Sequence, residues 1–264
     1  MTRFVVVKLG GHALDGADDL AVALDRLAHD LQGLLASDVS PILVHGAGPQ
    51  ISSMLERLGV PVSFVDGLRV TNEETMGVVA MTLSHVNLQL VAGLQQRGVP
   101  AVGVAGPDAG TVGAAPKGTL WGLAGDVTHV DPRWLRHTVE AGYVPVVNPV
   151  ALGHDGSLLN CNADAVAGAL AAGLRADALI LLSDVDQLRR DPDDASSVME
   201  HATSVEVASM ISSGAIRDGM RPKMDAALAA VRAGASRVVL ANGTRPGALQ
   251  DALSGTGRST VITA

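Results

Sequence analysis

Apolar residues along this chain follow two rhythms. Short unbroken runs alternate with longer stretches in which apolar positions recur every three or four residues. Residues 3–9, RFVVVKL, have the length and β-branched content of a buried strand. Residues 18–36 carry Leu20, Leu24, Leu27, Leu31 and Leu34 at three-to-four spacing, which predicts an amphipathic helix. A second strand is expected at 41–46. A short helix follows at 49–59, with Pro49 in its first turn and Gly59 at its end. Residues 72–97 predict a long helix, with Asn72 as candidate N-cap and Gly98 as its stop. Next come a strand at 100–106, a Gly/Thr/Val-rich stretch at 107–131 read as small hairpins or loop, a helix at 131–142 and a strand at 143–148. The remainder predicts helix 162–174, strand 177–183, helices 204–214 and 222–234, strand 236–242, helix 245–253 and strand 259–264.

Alternating β and α elements call for a parallel or mostly parallel sheet covered by helices on both faces, an α/β class. No Pro- or Ser-rich linker divides the chain. A second α/β set begins near 174–176, so a division into 1–174 and 175–264 is expected.

Composition narrows the reading without redirecting it. The 264 residues are 47% hydrophobic and 17% charged, with 30 glycines, which describes an aliphatic globular chain. Nineteen Lys and Arg face 27 Asp and Glu, a formal charge of −8, and no basic cluster exists for nucleic acid. The single cysteine, Cys161, cannot form an internal disulfide. The apolar start is too short for a signal segment, and charges and glycines interrupt every stretch of membrane-spanning length. A soluble cytoplasmic protein with no membrane or nucleic-acid partner is the expectation.

Chemistry is to be sought in the loops after the strands, because open α/β sheets bind ligands at their carboxyl ends. Lys8 followed by Gly10 and Gly11 offers a cation and backbone N–H groups to an anion; a tight turn beside an edge lysine is the plain alternative. Gly46 and Gly48 flank Ala47 just before a helix N-terminus, a ready anion site or an ordinary turn. The spacing matches neither the dinucleotide fingerprint nor the P-loop. His45 alone suits a structural role. Asn160 and Asn162 are spaced to put two amides on one side of an extended segment, and Asp164 falls in the following helix's first turn, where capping is the simple reading. Lys223 at a helix start is electrostatically unfavourable unless it has a partner. The loop from Ser183 would suit polar contacts to a nucleotide or a capping turn.

Taken in order, KLGG at 8–11, HGAGP at 45–49, GLRVT at 67–71, NCNAD at 160–164, SDV at 183–185 and GMRPK at 219–223 resemble the amino acid kinase family over essentially the whole chain. The GLRVT segment points to the branch acting on acetylated glutamate, since other branches share the glycine loops without it. The resemblance implies an αβα sandwich around a mostly parallel central sheet, the fold shared with carbamate kinases. It also implies ATP-dependent phosphorylation of the γ-carboxylate of N-acetyl-L-glutamate in arginine biosynthesis, with Mg²⁺ bridging nucleotide phosphates. The N-terminal lobe would hold the amino acid and the C-terminal lobe the ATP. By position, Lys8 and Lys223 match lysines on the transferred phosphoryl group, and Asp164 the aspartate that orients them. Gly10, Gly11, Ala47, Gly48, Arg69 and Asn160 match substrate contacts. Ser183, Asp184, Val185, Asp186, Gln187, Leu188 and Arg189, with Ala215, Ile216 and Arg217, match nucleotide contacts.

Three positions depart from the family pattern: Ala47 and Gln187 stand where glycine is common, and Ser84-His85 where Gly-Lys is common. Two other readings accompany the resemblance: a kinase for a carrier-linked aminoadipate, and a catalytically silent sensor. A strand starting by residue 3 leaves no room for the N-terminal helix that joins arginine-inhibited members into hexamers. An arginine-insensitive homodimer built on helix 72–97 is therefore expected.

Overall fold

The computed structural model describes residues 3–10, 17–217 and 219–264. In chain order these form β1 (Arg3–Leu9), α1 (Ala17–Leu35), β2 (Val39–His45), α2 (Gly48–Arg57), β3 (Phe64–Val65), β4 (Leu68–Arg69), α3 (Glu73–Gln96), β5 (Ala101–Val104), β6 (Val112–Pro116), β7 (Ala124–Val130), α4 (Arg133–Glu140), β8 (Val144–Val147), β9 (Val150–Gly153) and β10 (Leu158–Cys161). The chain continues with α5 (Ala163–Leu174), β11 (Ala178–Ser183), β12 (Leu188–Arg189), β13 (Val198–Met199), β14 (His201–Thr203), α6 (Ser204–Ser212), α7 (Met220–Arg232), β15 (Val238–Asn242), α8 (Ala248–Ser254) and β16 (Ser259–Thr263).

Among the described residues the main sheet has eight strands in the order β14-β16-β15-β11-β1-β2-β8-β5. From β15 to β5 every pairing is parallel; β16 runs antiparallel to β15. The expected α/β sandwich with a mostly parallel sheet is the observed one. Strand β1 lies near its middle, between β11 and β2.

Successive side chains of a strand point to opposite faces, and β1 shows what that does here. Phe4 and Val6 join one core with α4, α5, α6 and α7, while Val5, Val7 and Leu9 join the other with α1, α2, α3 and α8. Lys8 belongs to the even set. It therefore faces the α5–α7 layer, at the carboxyl edge of the sheet, where those helices begin.

The stretch 107–131 does contain a hairpin, β6–β7. It combines with β9–β10, a hairpin with no counterpart in the sequence reading, into four short strands whose pairings close on themselves. One sequence expectation is corrected: α3 is long and apolar enough by length and composition to cross a membrane. Ten of its residues, Leu83, Leu90 and Leu94 among them, are buried.

Candidate active site

Lys8 is the eighth residue from the N-terminus and Lys223 the forty-second from the C-terminus, yet both reach one carboxylate. Lys8 Nζ lies 2.9 Å from Asp164 Oδ1, and Lys223 Nζ lies 3.6 Å from Asp164 Oδ2. Asp164 is placed by α5: Asn162 caps the helix, its Oδ1 accepting from the amides of Asp164 and Ala165 at 2.7 and 3.3 Å. A carboxylate in the first turn is favoured by the helix dipole. Lys223 comes from the fourth position of α7, which begins at Met220, two residues before the expected start. Its unfavourable position at a helix start is offset by Asp164.

Lys8 and Asp164 are each 5% exposed. Burial pushes the Lys8 ammonium below its usual range; Asp164 opposes that shift and the neighbouring Lys223 adds to it. Two ammonium groups therefore share one carboxylate in a largely buried site, which favours an arriving anion.

The glycine loop after β1 is sterically required. A Cβ on Gly10 would lie 2.8 Å from the carbonyl oxygen of Leu182 on β11. Gly11 lies outside the described residues. The loop after β2 sits against the same helix start, since a Cβ on Gly46 would lie 3.7 Å from that of Ala163. Ala47, at the head of α2, has φ −152° and ψ 37°. That is not left-handed backbone, the region that would call for the family's glycine. Gly48 has open space at its Cβ position, so its role is not steric.

Arg69 ends the β3–β4 ribbon and is buried. Its Nη2 donates to Gly48 O at 3.2 Å and to Ser52 Oγ at 2.7 Å, and the guanidinium covers the Phe64 ring at 4.7 Å. Nη1 is buried without a hydrogen-bond partner among the described residues. A charged donor left this way favours an incoming acceptor. Asn160 joins the same group: its Nδ2 donates to Thr71 Oγ1 at 3.1 Å, and that hydroxyl donates to Arg69 O at 2.9 Å. The two amides do not act as a pair, because Asn162 is occupied with capping.

His45 is a structural residue. Asn87 Nδ2 contacts its Nε2 at 3.0 Å and its Nδ1 contacts Gly46 O at 3.2 Å, an assignment that suits the neutral ring protonated at Nδ1. Burial lowers its pKa to about 4.

Beyond Ser183, a cleft of about 580 Å³ is lined by Asp184, Val185, Asp186, Gln187 and Arg189, together with Ala195, Val198, Asn242 and Arg258. Gln187 donates to Ser259 O at 3.2 Å, so its side chain is turned onto β16. Asn242 donates to Asp186 Oδ1 at 2.9 Å, and Arg258 lies 3.8 Å from Asp186 Oδ2. Leu188 is buried beneath the cleft, and Ser183 Oγ accepts from Val185 N at 3.2 Å. Ala215, Ile216 and Arg217 lie between α6 and α7 and do not line this cleft; Ile216 is buried in the core. The sequence reading missed Asn242 and Arg258. Asn242 was findable, because it ends a strand at the same sheet edge, opposite Ser183.

A parallel-sheet sandwich with cations, helix starts and a polar cleft along its carboxyl edge is the architecture of a protein that handles phosphate groups. The chain belongs to the amino acid kinase family, whose model matches residues 3–242. It is 40% identical to an acetylglutamate kinase of Symbiobacterium thermophilum, over 94% of this chain and 86% of that protein. It is 43% identical to an acetylglutamate kinase of Synechococcus sp. strain CC9605, over 94% of this chain and 84% of that one. In fold it matches carbamate kinase from Giardia lamblia bound to AMP-PNP, with a TM-score of 0.73 at 14% identity, covering 98% of each chain.

Proposed function

We propose that this chain transfers the γ-phosphoryl group of ATP to the γ-carboxylate of N-acetyl-L-glutamate, in the cytoplasm, as a step of arginine biosynthesis. The observation that carries this reading is the meeting of Lys8 and Lys223 on Asp164, in a chain about 40% identical to acetylglutamate kinases.

A Glu-like acceptor carboxylate has a pKa of ~4.3 and is ionised at neutral pH, so no general base is needed. The obstacle is an anion approaching a polyanion. One carboxylate oxygen forms the bond to γ-phosphorus, the bond to the β,γ-bridging oxygen breaks, and ADP leaves with that electron pair. Lys8 neutralises charge from the acceptor side and Lys223 from the nucleotide side, while Asp164 keeps both ammonium groups aimed inward. The backbone amides of Gly10 and Gly48 are offered to the phosphates and the substrate, and Gly11 takes the role that the family resemblance gives it. Arg69, through its free Nη1, and Asn160 hold the α-carboxylate and neighbouring groups of the substrate. The N-terminal part, 1–174, thus carries the amino acid, and 175–264 carries the ATP in the cleft at Ser183–Arg189.

Both Asp164 oxygens lie within ion-pair range of ammonium groups, so Mg²⁺ would take its ligands from nucleotide phosphates and water. It supplies charge neutralisation there. The assembly is a homodimer formed on the outer face of α3, where Met81 and Leu88 are 62% and 68% exposed beside Ser84 and His85.

The test is ADP release against a panel of acylated acidic amino acids. Acetylglutamate is expected to be the best acceptor. No release at saturating ATP, Mg²⁺ and acetylglutamate would overturn the assignment.

A further inference from the structure

The ribbon β3–β4 carries Arg69 but pairs with no other strand among the described residues. An isolated two-stranded ribbon is marginal in water, and Phe64, Asp66 and Gly67 on this one are exposed. The guanidinium itself is tied to α2 by its bonds to Gly48 O and Ser52 Oγ, so it is the ribbon's backbone that still needs holding. The contacts converge on one short segment, Trp121–Leu123. Thr71 N donates to Trp121 O at 3.1 Å, and Leu123 N donates to Thr71 O at 2.6 Å. Gly122 lies between them at φ +62°, and a Cβ there would come within 2.4 Å of Thr71 O. The indole crosses to the other strand of the ribbon, where Trp121 Nε1 donates to Val65 O at 3.2 Å. Lys117 sits 5.8 Å from the centre of the indole and pairs with Asp126 at 2.9 Å. Leu123 O accepts from Asn160 N at 2.9 Å, so the same segment also seats a second candidate substrate contact.

We infer that Trp121 is a positioning residue for acetylglutamate, acting through Arg69. Its indole pins Val65 while its backbone pins Thr71, so the ribbon is held at both strands. Loss of the indole N–H lets the ribbon rock, which weakens acceptor binding and leaves phosphoryl transfer and ATP binding in place. This rests on the acetylglutamate reading of the site.

Trp121→Phe keeps the ring and removes only the donor. Its KM for acetylglutamate should rise roughly three- to tenfold, the worth of one neutral hydrogen bond, with kcat and the KM for ATP within about twofold of wild type. A second measurement uses Trp134→Phe, which leaves Trp121 as the sole tryptophan. Acetylglutamate added without ATP should alter the emission of Trp121. With an active wild type, an unchanged acetylglutamate KM in Trp121→Phe overturns the inference. Should that variant fail to fold by circular dichroism, the emission decides, and no change at saturating acetylglutamate overturns it. A wild type that releases no ADP sinks the substrate reading, and the role of Trp121 with it.

Discussion

Lys8, Asp164 and Lys223 differ in what the molecule asks of each. Lys8 is buried and Lys223 is at the rim, with side chains 6% and 20% exposed. In the proposed mechanism each faces developing charge, so Lys8→Ala and Lys223→Ala should lower kcat by about 10²–10³ while far-UV circular dichroism stays native. Near-normal turnover in either variant would remove that lysine from the chemistry. Arg69→Ala should act on binding instead. Losing a charge-assisted contact is worth about 1.5–3 kcal/mol, which predicts a roughly 10- to 100-fold rise in the acetylglutamate KM. His45 makes a prediction about pH. Its unfolded pKa is 6.5 and its folded value about 4, so the native state keeps its full advantage above 6.5. As pH falls through that window only the unfolded chain takes the proton, and up to about 3 kcal/mol is lost. Urea unfolding at pH 7 and pH 4.5 should show wild type losing stability relative to His45→Gln; a constant difference would contradict the buried neutral ring.

At the scale of elements, Ala47 tests what the head of α2 requires. With φ at −152° there is no left-handed strain for glycine to relieve. Ala47→Gly should therefore cost about 0.5–1 kcal/mol of stability through backbone entropy and leave kcat and KM within about twofold. A gain in activity would show that the departure from the family pattern matters. Long periodic elements were legible in the sequence to within a few residues, because α1, α3 and α5 carry several turns of apolar spacing. Strands of two to four residues carry no period, and β3–β4 and β9–β10 went unread for that reason. Both had a signal of another kind. Asp66-Gly67, with φ of 51° and 76°, has the positive dihedrals of a tight two-residue turn, and the second ribbon turns through Asp155-Gly156. The site was legible as separate loops, and the resemblance named its lysines. That Asn162 caps α5 rather than pairing with Asn160 depends on where the helix starts, which residue types alone leave open.

The whole molecule sets two further conditions. If α3 pairs with its copy, light scattering should give a dimer and Leu88→Glu a monomer; a wild-type hexamer or monomer would overturn that assembly. The exposed Met81 and Leu88 also explain why α3 reads as membrane-like while its opposite side packs in the core. The second condition is parity. Phe4, Val6 and Lys8 share one side of the central strand, and Val5, Val7 and Leu9 the other. Hydrophobicity would be satisfied equally by two or four valines in place of Val5–Val7. Counted from Phe4, however, a single insertion or deletion would swing the ammonium into the opposite layer, under the helices that carry no Asp164. The segment is thus bound by odd-or-even arithmetic, and frame-preserving indels here should be tolerated only in twos.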